Sequence, residues 1–87
     1  MVNLTPEERK LKTIVQGRIG EHLRAIRINK KMRQKEVADL CGFSRSGYNL
    51  IEQGQRNLTI FSLYKISKVL EEPLENLVKI SDIDKIE

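Results

Sequence analysis

Apolar residues recur along this chain at steps of three and four, the period of a helix. Leu11, Ile14, Val15, Ile19, Leu23 and Ile26 mark one long helix. It starts at Thr5-Pro6-Glu7-Glu8, a capping box with proline at the first helical position, and is expected over 5–31. Gly17 and Gly20 each weaken it by up to about 1 kcal/mol relative to alanine, which leaves room for a bend at 17–20. Val37, Ala38 and Cys41 share a face of a second, shorter helix, and Tyr48 and Ile51 share a face of a third. Ile60, Leu63, Ile66, Val69 and Leu70 mark a fourth over 59–71. Thr59 can cap it, and Glu72-Pro73 stops it because proline disfavours the helical conformation of the residue before it. A short fifth helix over 74–80 and a tail over 81–87 complete an all-α, five-helix single domain, with no internal repeat, low-complexity tract or linker.

The segment 34–54 carries the strongest local signal. Ala38 is small enough for a second helix to cross close by. Gly42 follows the last periodic residue of its helix, where a left-handed backbone is needed and glycine adopts it without steric cost. Phe43 is expected to plug the turn into the core. Ser44 is a good N-cap for the next helix, because its hydroxyl can accept from that helix's free amides. Tyr48 and Ile51 then face inward. Arg45, Ser46, Asn49 and, at the margin, Leu50 face outward, and Gly54 ends the unit. Two short helices so joined can place the second in the major groove of DNA, where side chains reach base edges.

These residues resemble the helix-turn-helix of the lambda-repressor-like family, regulators of the Xre/Cro type. The likeness runs from Ile19-Gly-Glu-His-Leu-Arg-Ala-Ile-Arg27 through Gln34, Glu36, Ala38, Gly42, Ser44, Ile51-Glu52 and Gly54 to Leu74-Glu-Asn-Leu77. Arg56-Asn-Leu-Thr-Ile60 with Ser62-Leu63 is similar to one subgroup, the controller proteins of restriction-modification systems. Tyr48 departs from the aliphatic residue usual at that inward position. The resemblance implies a compact lambda-repressor-like domain binding double-stranded DNA as a homodimeric transcriptional regulator. It also implies that Gln34 contacts phosphate at a helix N-terminus, and that the loop 53–59 lies along the sugar-phosphate backbone.

Composition narrows the alternatives. The formal net charge is +4, a balance that favours a polyanionic partner. Residues 1–35 hold ten Lys/Arg against three Glu, or +7, whereas 36–58 and 59–87 come to −1 and −2. The basic end suits DNA and the acidic end suits a protein contact. No apolar run is long enough for a membrane span, and the N-terminus lacks the apolar segment of a signal peptide. One Cys excludes an internal disulfide and suits a reducing cytoplasm. One Cys with one His cannot make the usual four-ligand zinc site. His22 has no nucleophile near it in sequence, so catalysis, a cofactor and a small-molecule effector are not expected.

The expected site follows. Arg45, Ser46, Asn49 and Leu50 are the candidate base contacts. Arg45 can form a bidentate pair with guanine, whereas Leu50 either touches a thymine methyl or packs on its neighbour. Gln34, Arg33, Lys35, Gln53, Arg56 and Asn57 are the candidate phosphate contacts, which set register without reading sequence. Glu36 and Glu52 would be repelled by DNA and are expected to be hydrogen-bonded internally or paired with an arginine of the first helix. Cys41 reads as a small core residue. The C-terminal apolar set exceeds what one short helix buries, which places a two-fold contact on Leu77, Val78, Ile80 and Ile83. Besides a regulator, an antitoxin that binds both DNA and a toxin remains open, as does a protein-interaction module without DNA. The outward Arg45, Ser46 and Asn49 argue against the last.

Overall fold

Five helices form along the chain in the computed structural model, which describes residues 3–79. Helix α1, Pro6–Asn29, begins as its capping box requires: Glu8 N–H donates to Thr5 Oγ1 (3.1 Å) and Thr5 N–H donates to Glu8 Oε1 (2.9 Å). It runs through Gly17 and Gly20 without a break. Gly20 serves close approach instead of bending. A Cβ on Gly20 would overlap the carbonyls of Ile51 and Glu52, and a Cβ on Gly54 would meet the backbone of Gly17. The C-terminal end of the third helix therefore crosses α1 backbone against backbone.

Helix α2, Gln34–Cys41, ends at Gly42 with φ +77°. Phe43 N–H then donates to the Ala38 carbonyl (2.8 Å), closing the turn back on the helix. Helix α3, Arg45–Glu52, starts with Gly47 N–H donating to Ser44 Oγ (2.9 Å). It stops in the same way as α2: Gly54 has φ +73° and Gln55 N–H donates to the Leu50 carbonyl (2.9 Å). Helix α4, Ile60–Leu70, is capped by Thr59, whose Oγ1 accepts from Ser62 N–H (3.0 Å), and α5 is one turn, Leu74–Leu77. Non-glycine residues close α1 and α4 in the left-handed region, Lys31 at φ +60° and Glu71 at φ +54°. Met32 N–H reaches the Arg27 carbonyl (3.1 Å) and Glu72 N–H the Ser67 carbonyl (3.0 Å). The bonds so gained offset a conformation that side-chain-bearing residues rarely adopt.

The core gathers Leu23 of α1, Val37, Ala38 and Cys41 of α2, Tyr48 and Ile51 of α3, Leu63, Ile66 and Leu70 of α4, and Leu77 of α5. Phe43, half-buried, packs on its edge beneath the Lys65 ammonium, 4.6 Å from the ring centroid. His22 of α1 donates from Nε2 to the Asn76 carbonyl (2.6 Å) and so pins α5 to α1. Leu11, Ile14 and Ile60 keep the helical period but stay outside the core, exposed near the starts of α1 and α4. Leu77 corrects the expected two-fold contact. It is fully enclosed within a single chain, because one turn of α5 is needed to lid the core, so its side chain is not available to a second copy. Val78 is exposed, and Ile80 and Ile83 lie outside the described residues, as does the tail over 81–87.

Candidate nucleic-acid interface

The interface is built around an ion pair beneath its surface. Arg27 Nε donates to Glu52 Oε2 (2.7 Å) and Nη2 to Glu52 Oε1 (3.1 Å), while Nη1 donates to the Met32 carbonyl (2.9 Å). Both side chains are buried. Burial pushes the Glu52 carboxyl up, but hydrogen bonds from Arg27 and Gln34 outweigh it and hold the group below the ordinary carboxylate value. Its hydrogen bond to Glu52 likewise raises Arg27. Tyr48 places its buried hydroxyl beside this pair. Burial, then the Glu52 carboxylate, push it above its ordinary value. The pair joins the C-terminal half of α1 to the end of α3, as expected for Glu52. Glu36 is also bonded internally, its Oε1 accepting from Arg33 N–H (2.9 Å) at the start of α2.

Gln34 belongs to this network more than to the surface. Its Nε2 donates to both Glu52 Oε1 (3.0 Å) and Asn49 Oδ1 (3.0 Å). The carboxylate can only accept, which fixes the amide orientation and occupies both of its protons. The side chain expected to donate to phosphate therefore has only an acceptor left, and the remaining donors at this helix start are the first backbone amides of α2. Asn49, half-buried, receives Gln34 at Oδ1, which orients its Nδ2 for an outside acceptor. A chain of bonds thus runs from the buried Arg27 to the outer face of α3.

Around that chain lies a basic concavity. Arg24, Arg33, Lys35 and Arg45 line it together with Gln34, Met32 and the edge of Arg27. Lys35 also pairs with Asp39 (2.8 Å), an exposed contact worth little and easily exchanged for a phosphate. Arg24, Arg33 and Arg45 have no acidic partner among the described residues. The N-termini of α2 and α3 add their partial positive charge to this end of the molecule. Ser46 and Arg45 are exposed on α3, and Leu50 is partly so at its margin.

On the far side of α3, Gln53, Arg56 and Asn57 are exposed in the loop to α4. Gln16 of α1 donates from Nε2 to Asn57 Oδ1 (3.0 Å), which leaves the Asn57 amide protons facing outward. The Arg56 guanidinium folds back over Gly47, where any side chain would collide with it. The structure therefore brings the expected base contacts onto one helix face and sets the expected phosphate contacts on both sides of it. Sequence reasoning missed Arg24, Gln16 and the role of Gly47. The first two lie on one stripe of α1, a pattern legible only once the α3 crossing is known.

Two capped helices joined by a glycine turn, with a basic rim around the second, make up a helix-turn-helix. A family model described as helix-turn-helix, HTH_3, matches residues 23–77. The chain belongs to that family, the lambda-repressor-like, Xre type of transcriptional regulator. It is 33% identical over 67 residues to the HTH-type transcriptional regulator YqaE of Bacillus subtilis, a match covering 77% of this chain and 58% of that one. The chain thus spans little more than half the length of that relative. It is 33% identical over 52 residues to the HTH-type transcriptional regulator y4dJ of Sinorhizobium fredii, across 60% of this chain and 68% of the other. Among solved structures it is similar to the restriction-modification controller protein C.AhdI from Aeromonas hydrophila. The TM-score is 0.69 at 31% identity, covering 71% of this chain and 94% of that one. A transcriptional regulator of the same family from Vibrio cholerae matches in fold, with a TM-score of 0.73 at 24% identity, over 86% of this chain and 42% of that one. Among the described residues no helix is long and apolar enough to cross a membrane.

Proposed function

We propose that the protein is a sequence-specific, double-stranded-DNA-binding transcriptional regulator with α3 as its recognition helix. The observation that carries this reading is the basic concavity at the joined starts of α2 and α3, with Arg45 at its edge and Asn49 oriented by Gln34. Arg45, Ser46, Asn49 and Leu50 meet base edges in the major groove. Arg33, Lys35 and the first amides of α2 hold one phosphate strand, and Gln53, Arg56 and Asn57 hold the other. Gln34 positions Asn49.

One recognition helix covers only a few base pairs, so the protein acts as a homodimer on a near-palindromic operator with half-sites about 34 Å apart. Exposed Val78, next to the acidic end of the chain, supports a contact there, with Ile80 and Ile83 beside it in sequence. The likeness to C.AhdI over nearly all of that chain supports a controller role in a restriction-modification system. Electrophoretic shift with fragments of the source genome tests the reading. Salt-resistant retention of a few fragments carrying a common near-palindrome is expected, and uniform retention of all fragments would overturn sequence specificity. A bound fragment lying beside an endonuclease and methyltransferase pair would establish the controller role.

A further inference from the structure

A second polar concavity opens beside the start of α1, lined by Asn3, Arg9, Lys12, Gln16, Gln55 and Asn57 among others, and no carboxylate contributes to its wall. Arg9 and Lys12 are exposed, and no ion pair engages them among the described residues. The concavity is built, since Gln16 holds Asn57 in place by a 3.0 Å hydrogen bond. It also shares a face with the first basic concavity. Arg9, Thr13, Gln16, Gly20, Arg24 and Arg27 succeed one another at three- and four-residue steps, so they form a single stripe along α1. The end of α3 crosses that stripe at Gly17 and Gly20, between the two basic groups. At 1.5 Å per residue Lys12 and Arg24 stand about 18 Å apart along the axis. That separation suits two positive clusters straddling a major groove about 12 Å wide.

We propose that the first turns of α1 form a second phosphate clamp. Arg9 and Lys12, with Gln55 and the Gln16-held Asn57, grip the DNA strand across the groove from the one held at the start of α2. The clamp rests on the DNA-binding reading above, and it extends the interface to residues outside the matched family region, which begins at residue 23. Its contacts are to backbone only, so it strengthens binding to every sequence alike.

The test is the salt dependence of binding to a fluorescein-labelled, mixed-sequence duplex of about 30 base pairs, three turns of DNA, read by fluorescence anisotropy. Each phosphate contact contributes about 0.9 to the slope of log K against log salt. The Arg9→Ala, Lys12→Ala double variant is expected to lose about 2 from that slope. Its melting temperature should stay unchanged, as should its ranking of duplexes that differ in sequence. Lys68→Ala, which removes a charge from the outer face of α4, controls for net charge and should keep the parent slope. The charge-conserving Arg9→Lys, Lys12→Arg variant should keep it as well. If the double variant retains the parent slope, or loses no more than Lys68→Ala does, the clamp is wrong while the DNA reading stands. A parent chain that binds no duplex overturns both.

Discussion

Single residues show how a buried charge comes to govern an exposed surface. Glu52 is bonded by Arg27 from below and by Gln34 from the side, and the same Gln34 amide holds Asn49. Removing one member of a buried pair leaves the other uncompensated, at a cost of about 3–5 kcal/mol. Glu52→Gln should therefore destabilise the domain by that order and loosen Asn49, seen as lower affinity even where the variant is kept folded at low temperature. Acid should act through the same group. Glu52 is held below its ordinary value in the folded chain, so the unfolded chain takes up its proton first as the pH falls. The stabilisation is complete above the ordinary carboxylate pKa of about 4.3 and is lost as the pH drops from there through the lower, folded value. Thermal melts from about pH 7 to about pH 3 should show a decline in the parent that is shallower in Glu52→Gln. An equally steep decline in both would place the acid sensitivity elsewhere.

Two of the arginines proposed to meet DNA, Arg45 and Arg56, should separate by their effect on preference. Arg45 stands at the start of α3, where a guanidinium can pair with guanine, whereas Arg56 folds over Gly47 in the loop. Arg45→Ala should cost about 1–3 kcal/mol on the preferred site and flatten discrimination there, leaving weak, salt-sensitive binding. Arg56→Ala should weaken all sequences to a similar degree. A base-substitution scan in which Arg45→Ala keeps the parent's full preference would remove it from the base contacts.

Helices and their crossings are the scale at which sequence and structure diverge most usefully. Caps and stops are local, so Thr5, Gly42, Ser44, Gly54 and Thr59 can be read from neighbours within a few residues, and they fall where the helices begin and end. The ends at Lys31 and Glu71 carry no such signature, because their left-handed backbone is held by closing bonds instead of by residue type. The internal bonds of Gln34 are illegible in the sequence for a related reason. Its partners lie 15 and 18 residues away, and only the fold brings them to its amide. Leu11 and Ile14 keep the period of a buried stripe yet stay exposed, because periodicity gives a face and says nothing of what covers it. The glycines of α1 make the divergence measurable. Both look like helix breakers in sequence, but a Cβ on Gly17 meets open space and one on Gly20 meets the α3 backbone. Gly17→Ala should stabilise by about 0.5–1 kcal/mol. Gly20→Ala should destabilise by about 1–3 kcal/mol, since carbonyls cannot yield as a flexible side chain would. Denaturant melts of the two single variants check this, and a shift of the same sign in both would undo the close-approach account.

At the scale of the whole molecule the remaining problem is how one small domain reads enough DNA. The described residues measure 36 × 27 × 18 Å along their principal axes, and α3, the proposed recognition helix, is eight residues long. In the proposed reading such a helix reaches the bases of one half-site only, and selectivity against a genome comes from a second copy placed one turn of DNA away. A two-fold contact is self-complementary, and it must lie away from the basic face so that both recognition helices point at the same side of the duplex. The α5 end is the proposed place for it. Its neighbourhood is acidic where the opposite end is basic, and Val78 is exposed although Leu77 beside it is buried. Because Leu77 is committed to the core, substitutions there would unfold the chain and say nothing of assembly. The informative variant is Val78→Asp with Ile80→Asp, which puts charge into the proposed contact and leaves Leu77 in place. Sedimentation equilibrium should find it a folded monomer where the parent is a dimer. Affinity for a two-half-site operator should fall steeply, while affinity for a single half-site stays as it was. A variant that remains a dimer at the parent's strength would move the contact to another face of the molecule.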